Sequence, residues 1–240
     1  MSQTTTSADI LQNGMLAEAL VHPILFSSQM VQAILRGNKS QTRREIKGCN
    51  DFSHSKLVID PELCGEDKNG DIYPLLSKGL HVDFDFGEWV VKCPYGNVGD
   101  ILWVRETWAD NTAYFLYKAS CDSDFYVDEN YQETKEKIKW KPSIFMPKKA
   151  CRLFLKIADI KVQQLNDISN WDAMQEGALM SDIPKKILSN ENMAKKISQN
   201  GFKVAFRYVW EKINGKDSWD NNPCVWAISF QKCERPKGFC

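Results

Sequence analysis

The chain has 240 residues, 43% hydrophobic, 11% aromatic and 26% charged, with a formal net charge of +0. Such a composition suits one large globular domain, or one domain with insertions, and excludes a global field that would draw in nucleic acid; any such binding needs a local basic patch. No apolar run is long enough to span a bilayer, and the opening MSQTTTSADI lacks the basic-then-apolar order of a secretory signal.

In chain order, residues 1–20 read as a flexible N-terminal arm. Val21 to Phe26 is a short apolar run expected as a strand. Ser27 or Ser28 caps a helix whose apolar positions are Met30, Val31, Ile34 and Leu35, and Gly37 ends it as a C′ glycine. From Cys49 to about Asn97, Gly, Pro, Asp and Asn interrupt the pattern repeatedly. Residues 48–97 are therefore expected as a loop-rich insertion with one hairpin around Leu80–Cys93. Gly99-Asp100 forms a turn, and Ile101 to Arg105 is a strand apolar on both faces, hence central. Tyr114 to Ala119 is its expected partner. Asp122 to Lys139 is charged and poorly periodic, a solvated excursion that makes residues 120–140 a second insertion.

Cys151 to Ile160 alternates as a long strand, with Leu153, Leu155 and Ile157 opposite Arg152, Phe154 and Lys156. Ser169 to Asp172 spells a capping box, with Trp171, Met174 and Ala178 expected along the buried stripe of its helix. Phe202, Ala205, Phe206, Val209, Trp210 and Ile213 form the clearest amphipathic helix. Val225 to Phe230 is the closing strand, and residues 232–240 are a polar C-terminal tail without an evident role. The order implies an α+β fold whose mainly antiparallel sheet can curl into a small barrel with flanking helices.

The eight cysteines contain no C-x-x-C pair. A chain of this size buries a core without disulfides, so a reduced, cytoplasmic protein is expected. Cys49, His54, Cys64 and Cys93 cluster loosely, but zinc sites favour ligand pairs two to four residues apart, so no metal and no cofactor are expected. A P-loop, a dinucleotide glycine signature, H-E-x-x-H and G-x-S-x-G are all absent.

The segment Gly37-Asn38-Lys39-Ser40-Gln41-Thr42-Arg43-Arg44 concentrates cationic and hydroxyl groups directly after a helix. A turn brings Lys39 toward Thr42, and on a strand Thr42 and Arg44 share a face, so all three aim into one pocket. A solvated polar loop is the alternative. Further on, Lys139, Trp140, Lys141, Lys148 and Lys149 interleave basic and aromatic character.

The segment resembles the G-x-K-x-x-T-x-R signature of the ASCH superfamily, which has a PUA-like β-barrel fold. Gly99 to Trp108 resembles the GD-x-LWVRE-x-W block of phage and prophage members. Lys141 to Pro147 resembles their (R/K)PSI-x-MP block, and Asn221 to Trp226 their terminal NP-x-VW strand. The resemblance spans about residues 22–231, with insertions at about 48–97 and 120–140. Two departures stand out: Lys148-Lys149 where many relatives carry an aromatic residue or arginine, and Cys224 in place of a tryptophan.

Smaller members of the superfamily remove the acetyl group from N4-acetylcytidine with a lysine, a threonine and a glutamate. The resemblance implies Lys39 and Thr42 for the first two, and Glu176, in Ala173-Met174-Gln175-Glu176, for the third. It also implies a ligand surface from Arg43, Arg44, Arg105, Glu106, Trp108, Trp140, Lys141, Ser143, Lys148 and Lys149, with Phe145 and Arg152 as further stacking and phosphate groups. The expected ligand is a nucleoside, a nucleotide or RNA. Amide hydrolysis, ribonuclease action, non-catalytic binding and a phage accessory or morphogenetic role all remain open. So do the separate roles of Lys39, Thr42 and Glu176. Lys39 acts as a base only if its pKa falls, which burial and nearby arginines promote.

Overall fold

The computed structural model describes residues 19–46, 93–110, 114–127, 132–188 and 191–239, with the backbone of five short strands between 57 and 91. In order the elements are β1 (Val21–Leu25), α1 (Ser28–Leu35), β2 (Gln41–Glu45), β3 (Leu57–Val58), β4 (Cys64–Glu66), β5 (Ile72–Pro74), β6 (Leu80–Phe84) and β7 (Gly87–Val91). There follow β8 (Ile101–Arg105), β9 (Trp108–Asp110), β10 (Phe115–Tyr117), β11 (Phe125–Val127), β12 (Glu133–Lys137) and β13 (Phe154–Gln164). The chain then forms α2 (Asn170–Gln175), α3 (Lys185–Leu188), α4 (Glu191–Asn214) and β14 (Cys224–Cys233).

The main sheet runs β1-β8-β13-β14-β2, with β1 parallel to β8 and every other pairing antiparallel. The apolar run in β8 has a direct cause. Leu102 and Val104 pack on one face with Ile24, Leu155, Ile157 and Ile228, closed by Val31 and Ile34 of α1. Trp103 packs on the other with Trp108, Met146 and Phe154. A third apolar cluster joins α2 and α4 through Ala173, Phe206 and Trp210. The fold is α+β with open sheets; among the described residues no closed barrel forms. Yet Arg44 Nη2 on one edge strand donates to Leu25 O on the other at 2.6 Å. The sheet is thus coiled until its two edges face each other across one side chain.

Several expectations need correction. The Phe115–Tyr117 strand pairs with β9, not with β8, because β8 already has β1 and β13 as neighbours. Trp171 is not on a buried stripe: it is 66% exposed, and Ala173 takes the buried position in the first turns of α2. The excursion at 120–140 is solvated along β12, as expected, but it forms the β11–β12 hairpin and ends at buried Ile138. The C-terminal tail does have a structural role. Phe239 is buried edge-on against Phe154 at 5.0 Å between ring centres and lies 5.7 Å from Trp103.

Other expectations hold. Ser27 caps α1, Gly37 adopts φ +79°, and the Ser169–Asp172 capping box is formed. The hairpin expected near Leu80–Cys93 is β6–β7. The long helix is broken at Asn200 (φ −140°, ψ 42°), where the freed N–H groups of Phe202 and Lys203 donate to Asn170 Oδ1. Residues 1–18 of the expected arm at 1–20, and most of residues 48–92 of the expected insertion at 48–97, lie outside the described residues. Among the described residues no helix is long and apolar enough to cross a membrane.

Removing the Phe239 ring opens a cavity between Trp103 and Phe154, so Phe239→Ala should cost about 2–4 kcal/mol in urea denaturation. Trp171→Ala should change stability by less than about 0.5 kcal/mol. Equal losses for the two would contradict the packing described.

Candidate functional site

Two short helices end in the same way and face each other. At the end of α1, Gly37 N–H donates to Ile34 O and Asn38 N–H to Ala33 O, a Schellman motif that turns the chain back. At the end of α2, Gly177 N–H donates to Met174 O and Ala178 N–H to Ala173 O, with Gly177 at φ +82°. A Cβ on Gly177 would lie 3.2 Å from the Cβ atoms of both Ala33 and Lys39, so glycine serves the turn and the close approach together. Ser40 ties the two ends: its N–H donates to Gln175 O, its hydroxyl bonds Gln175 Oε1, and its carbonyl accepts from Phe230 N–H.

That approach buries Lys39 against Glu176, 137 positions away. Lys39 Nζ donates three hydrogen bonds of 2.8 Å, to Gln41 O, Glu176 O and Glu176 Oε2. The other carboxylate oxygen, Oε1, accepts from Arg43 Nη1 at 3.0 Å. Arg43 Nη1 also reaches Gln41 Oε1 at 2.5 Å, and Nη2 lies 3.6 Å from Asp172 Oδ2. Arg43 Nε and Arg44 Nε are buried with no hydrogen-bond partner among the described residues. Burial pushes the Lys39 ammonium below its ordinary value; Glu176 opposes that shift, while Arg44 and Arg43 reinforce it. Arg44 is lowered too, chiefly by burial.

Lys39, Thr42, Arg43, Arg44 and Glu176 line one cleft of about 710 Å³, within the ~300–1,000 Å³ range of small-molecule sites. Its walls are α1, β2, the loop after α2 and the last turns of α4. Thr42, buried on β2 opposite Ile228, sits on the same strand face as Arg44. Arg44 faces Phe26, 5.3 Å from the ring centre, rather than Glu176. The arginine that grips the carboxylate is Arg43. Strand alternation, which puts Arg43 beside Gln41, was the available signal for that; the Glu176-Gly177 pair after a capped helix likewise announced the helix end.

The remaining expected ligand residues do not line this cleft. Glu106 is fully buried, and both its oxygens accept from Arg152, at 2.8 and 2.9 Å, so neither residue offers a free charge. Arg105 bonds Ile144 O and covers the Trp103 ring. Trp108 is core, under Lys141, which pairs with Asp110. Trp140 Nε1 donates to Asp124. Ser143 opens a short turn, Ser143–Phe145, that leaves Ile144 and Phe145 exposed. Lys148 and Lys149 lie over Phe239 and Phe115. Among the described residues no three His, Cys, Asp or Glu side chains converge on a metal position; Cys49 and His54 lie outside those residues. Comparison with family models, with curated proteins and with solved structures finds no match.

Glu176→Gln leaves the Lys39 and Arg43 cations buried without their carboxylate. It should cost about 3–5 kcal/mol, read as a fall in denaturation midpoint. Linkage predicts a pH effect as well. The folded-state pKa of Lys39 lies below its unfolded value of 10.5. Between the two, the unfolded chain binds more protons, so stability rises with pH in that window. The native chain should therefore gain stability relative to Lys39→Met as pH rises from 7 toward 10.5. A constant difference across that range would refute the lowered pKa.

Proposed function

We propose that the chain is an ASCH-type protein, its coiled sheet a PUA-like core, whose cleft takes a cytidine-type nucleoside and hydrolyses an acyl group from its exocyclic nitrogen. The observation that carries the reading is the 2.8 Å contact of Lys39 Nζ with Glu176 Oε2 in a cleft also lined by Thr42. These are the three residues that the resemblance nominates, and two of them come from distant parts of the chain. The open ladder bridged by Arg44 supports a sheet close to barrel curvature.

In this reading water and the N4-acyl amide give the free amine and a carboxylate. Thr42 Oγ1 adds to the acyl carbon, the amine leaves, and water then cleaves the Thr42 ester to give the carboxylate and restore the hydroxyl; or Thr42 orients the water that adds directly. The proton released by the nucleophile passes through a water to the Glu176 carboxylate, which later returns it to Lys39. The leaving nitrogen takes a proton from the Lys39 ammonium, which burial makes more acidic than an exposed lysine. Arg43 holds the second oxygen of Glu176 and fixes the direction of the first. The surplus of cations over the single buried carboxylate favours the developing oxyanion.

One observation favours a second reading, a non-catalytic module for RNA or a nucleotide. Lys39 already has three acceptors, the full complement of an ammonium. Arg44 and the cluster would then only offset phosphate charge, and binding would fall steeply with salt.

Chromatography of N4-acetylcytidine after incubation with the native chain separates these readings. The hydrolase reading expects cytidine and acetate, with Lys39→Ala and Thr42→Ala each slower by about 100-fold or more. Salt-sensitive binding of RNA without turnover would uphold the second reading and reject the first.

A further inference from the structure

We infer that the cleft carries a second subsite, between Leu179 on the loop after α2 and Phe206, Trp210 and Ile213 on α4, which takes an aromatic acyl group of the ligand. The inference rests on the proposed amide chemistry at Lys39 and Glu176 for the polar end of that ligand. Its own support lies elsewhere in the cleft.

All four side chains line the same cavity as Lys39 and Glu176, joined to them through Gly177 and Ala178. Leu179 and Ile213 are 49% and 55% exposed, so large apolar surface stands uncovered at this end. Trp210 is only 5% exposed, and its indole Nε1 is buried with no hydrogen-bond partner among the described residues. A buried N–H without an acceptor is costly in a finished core, and a cavity wall is where a ligand atom can supply one. The wall is fixed by its surroundings. Leu179 N–H donates to Asp182 Oδ2 at 2.7 Å, and the Phe206 and Trp210 rings lie 6.1 Å apart. Met180 seats on Gly201, where a Cβ would come within 2.3 Å of its terminal methyl. The two ends of the cleft therefore differ in balance: cations and a carboxylate at one, and at the other exposed Leu179 and Ile213 beside Phe206 and Trp210, with Asp182 and Tyr208 also in the lining. A methyl group leaves the second end empty; an aryl ring with a ring nitrogen fills it and meets Trp210.

The test compares N4-acetylcytidine, N4-benzoylcytidine and N4-nicotinoylcytidine. Affinity is read as Kd by calorimetry, or as KM for any compound turned over. The benzoyl compound should bind about tenfold or more tightly than the acetyl one. The nicotinoyl compound should gain about three- to tenfold more from its acceptor nitrogen. Trp210→Phe should erase the nicotinoyl advantage alone. Ile213→Glu, at an exposed position that folding tolerates, should erase the aryl advantage, read as the ratio of acetyl to benzoyl Kd measured on the same variant. No preference for aryl over acetyl overturns the subsite, even if all three are hydrolysed. A preference that Ile213→Glu leaves intact overturns it too, since the ring would then lie elsewhere. Tight aryl binding that responds to Ile213→Glu without any turnover upholds the subsite and rejects the hydrolase reading; binding of none of the three rejects both.

Discussion

The buried triad of Lys39, Glu176 and Arg43 is the constraint around which the rest of the structure is arranged. One carboxylate takes a cation on each oxygen, and the ammonium takes a helix-end carbonyl as well. Taking such charges out of water is unfavourable unless the geometry is close to ideal. Two Schellman turns supply that geometry, ending α1 and α2 within contact of each other. The carbonyl ends of both helices carry partial negative charge, so a lysine and an arginine at their junction are favoured electrostatically before Glu176 is counted. Glycine suits the turn beside Lys39, because Gly177 has φ +82° and a Cβ there would press to 3.2 Å from the Cβ atoms of Ala33 and Lys39.

The sheet depends on the same junction. Its edge strands, β1 and β2, are linked in sequence by α1 alone, a single eight-residue helix. So short a connection keeps the two edges close although three strands separate them in the ladder. Arg44 bridges the remaining gap to Leu25 and covers Phe26, which also packs on Phe230. Two adjacent arginines thus do different work because strand side chains alternate: Arg43 turns to the helix ends, Arg44 to the opposite sheet edge.

The local features were legible in the sequence. Capping residues, C′ glycines and the two-sided apolar run of β8 act over a few residues, and their physics needs no distant partner. Residues with large apolar bodies were misread where the partner was distant. Trp171 lies on a helix of six residues, too short for a stripe to have a defined inner face, and the smaller Ala173 is what fits against α4. Phe239 reads as part of a polar tail because nothing near it is apolar; its partners Trp103 and Phe154 are far away in the chain. Glu106 and Arg152 each look like ligand groups singly, and only their mutual pairing removes them from solvent chemistry.

By itself the sequence determined the α+β class, the helix ends and the set of reactive residue types, because propensity, capping and hydrophobic period are local properties. Tertiary structure decided which of those residues meet. Lys39 joins Glu176 across 137 positions, Arg43 rather than Arg44 completes the pair, and an aromatic wall from α4 closes the same cleft. Burial makes that difference: a charge or an indole N–H acquires its chemical character from the groups that replace water around it, and those groups come from elements that only the fold brings together.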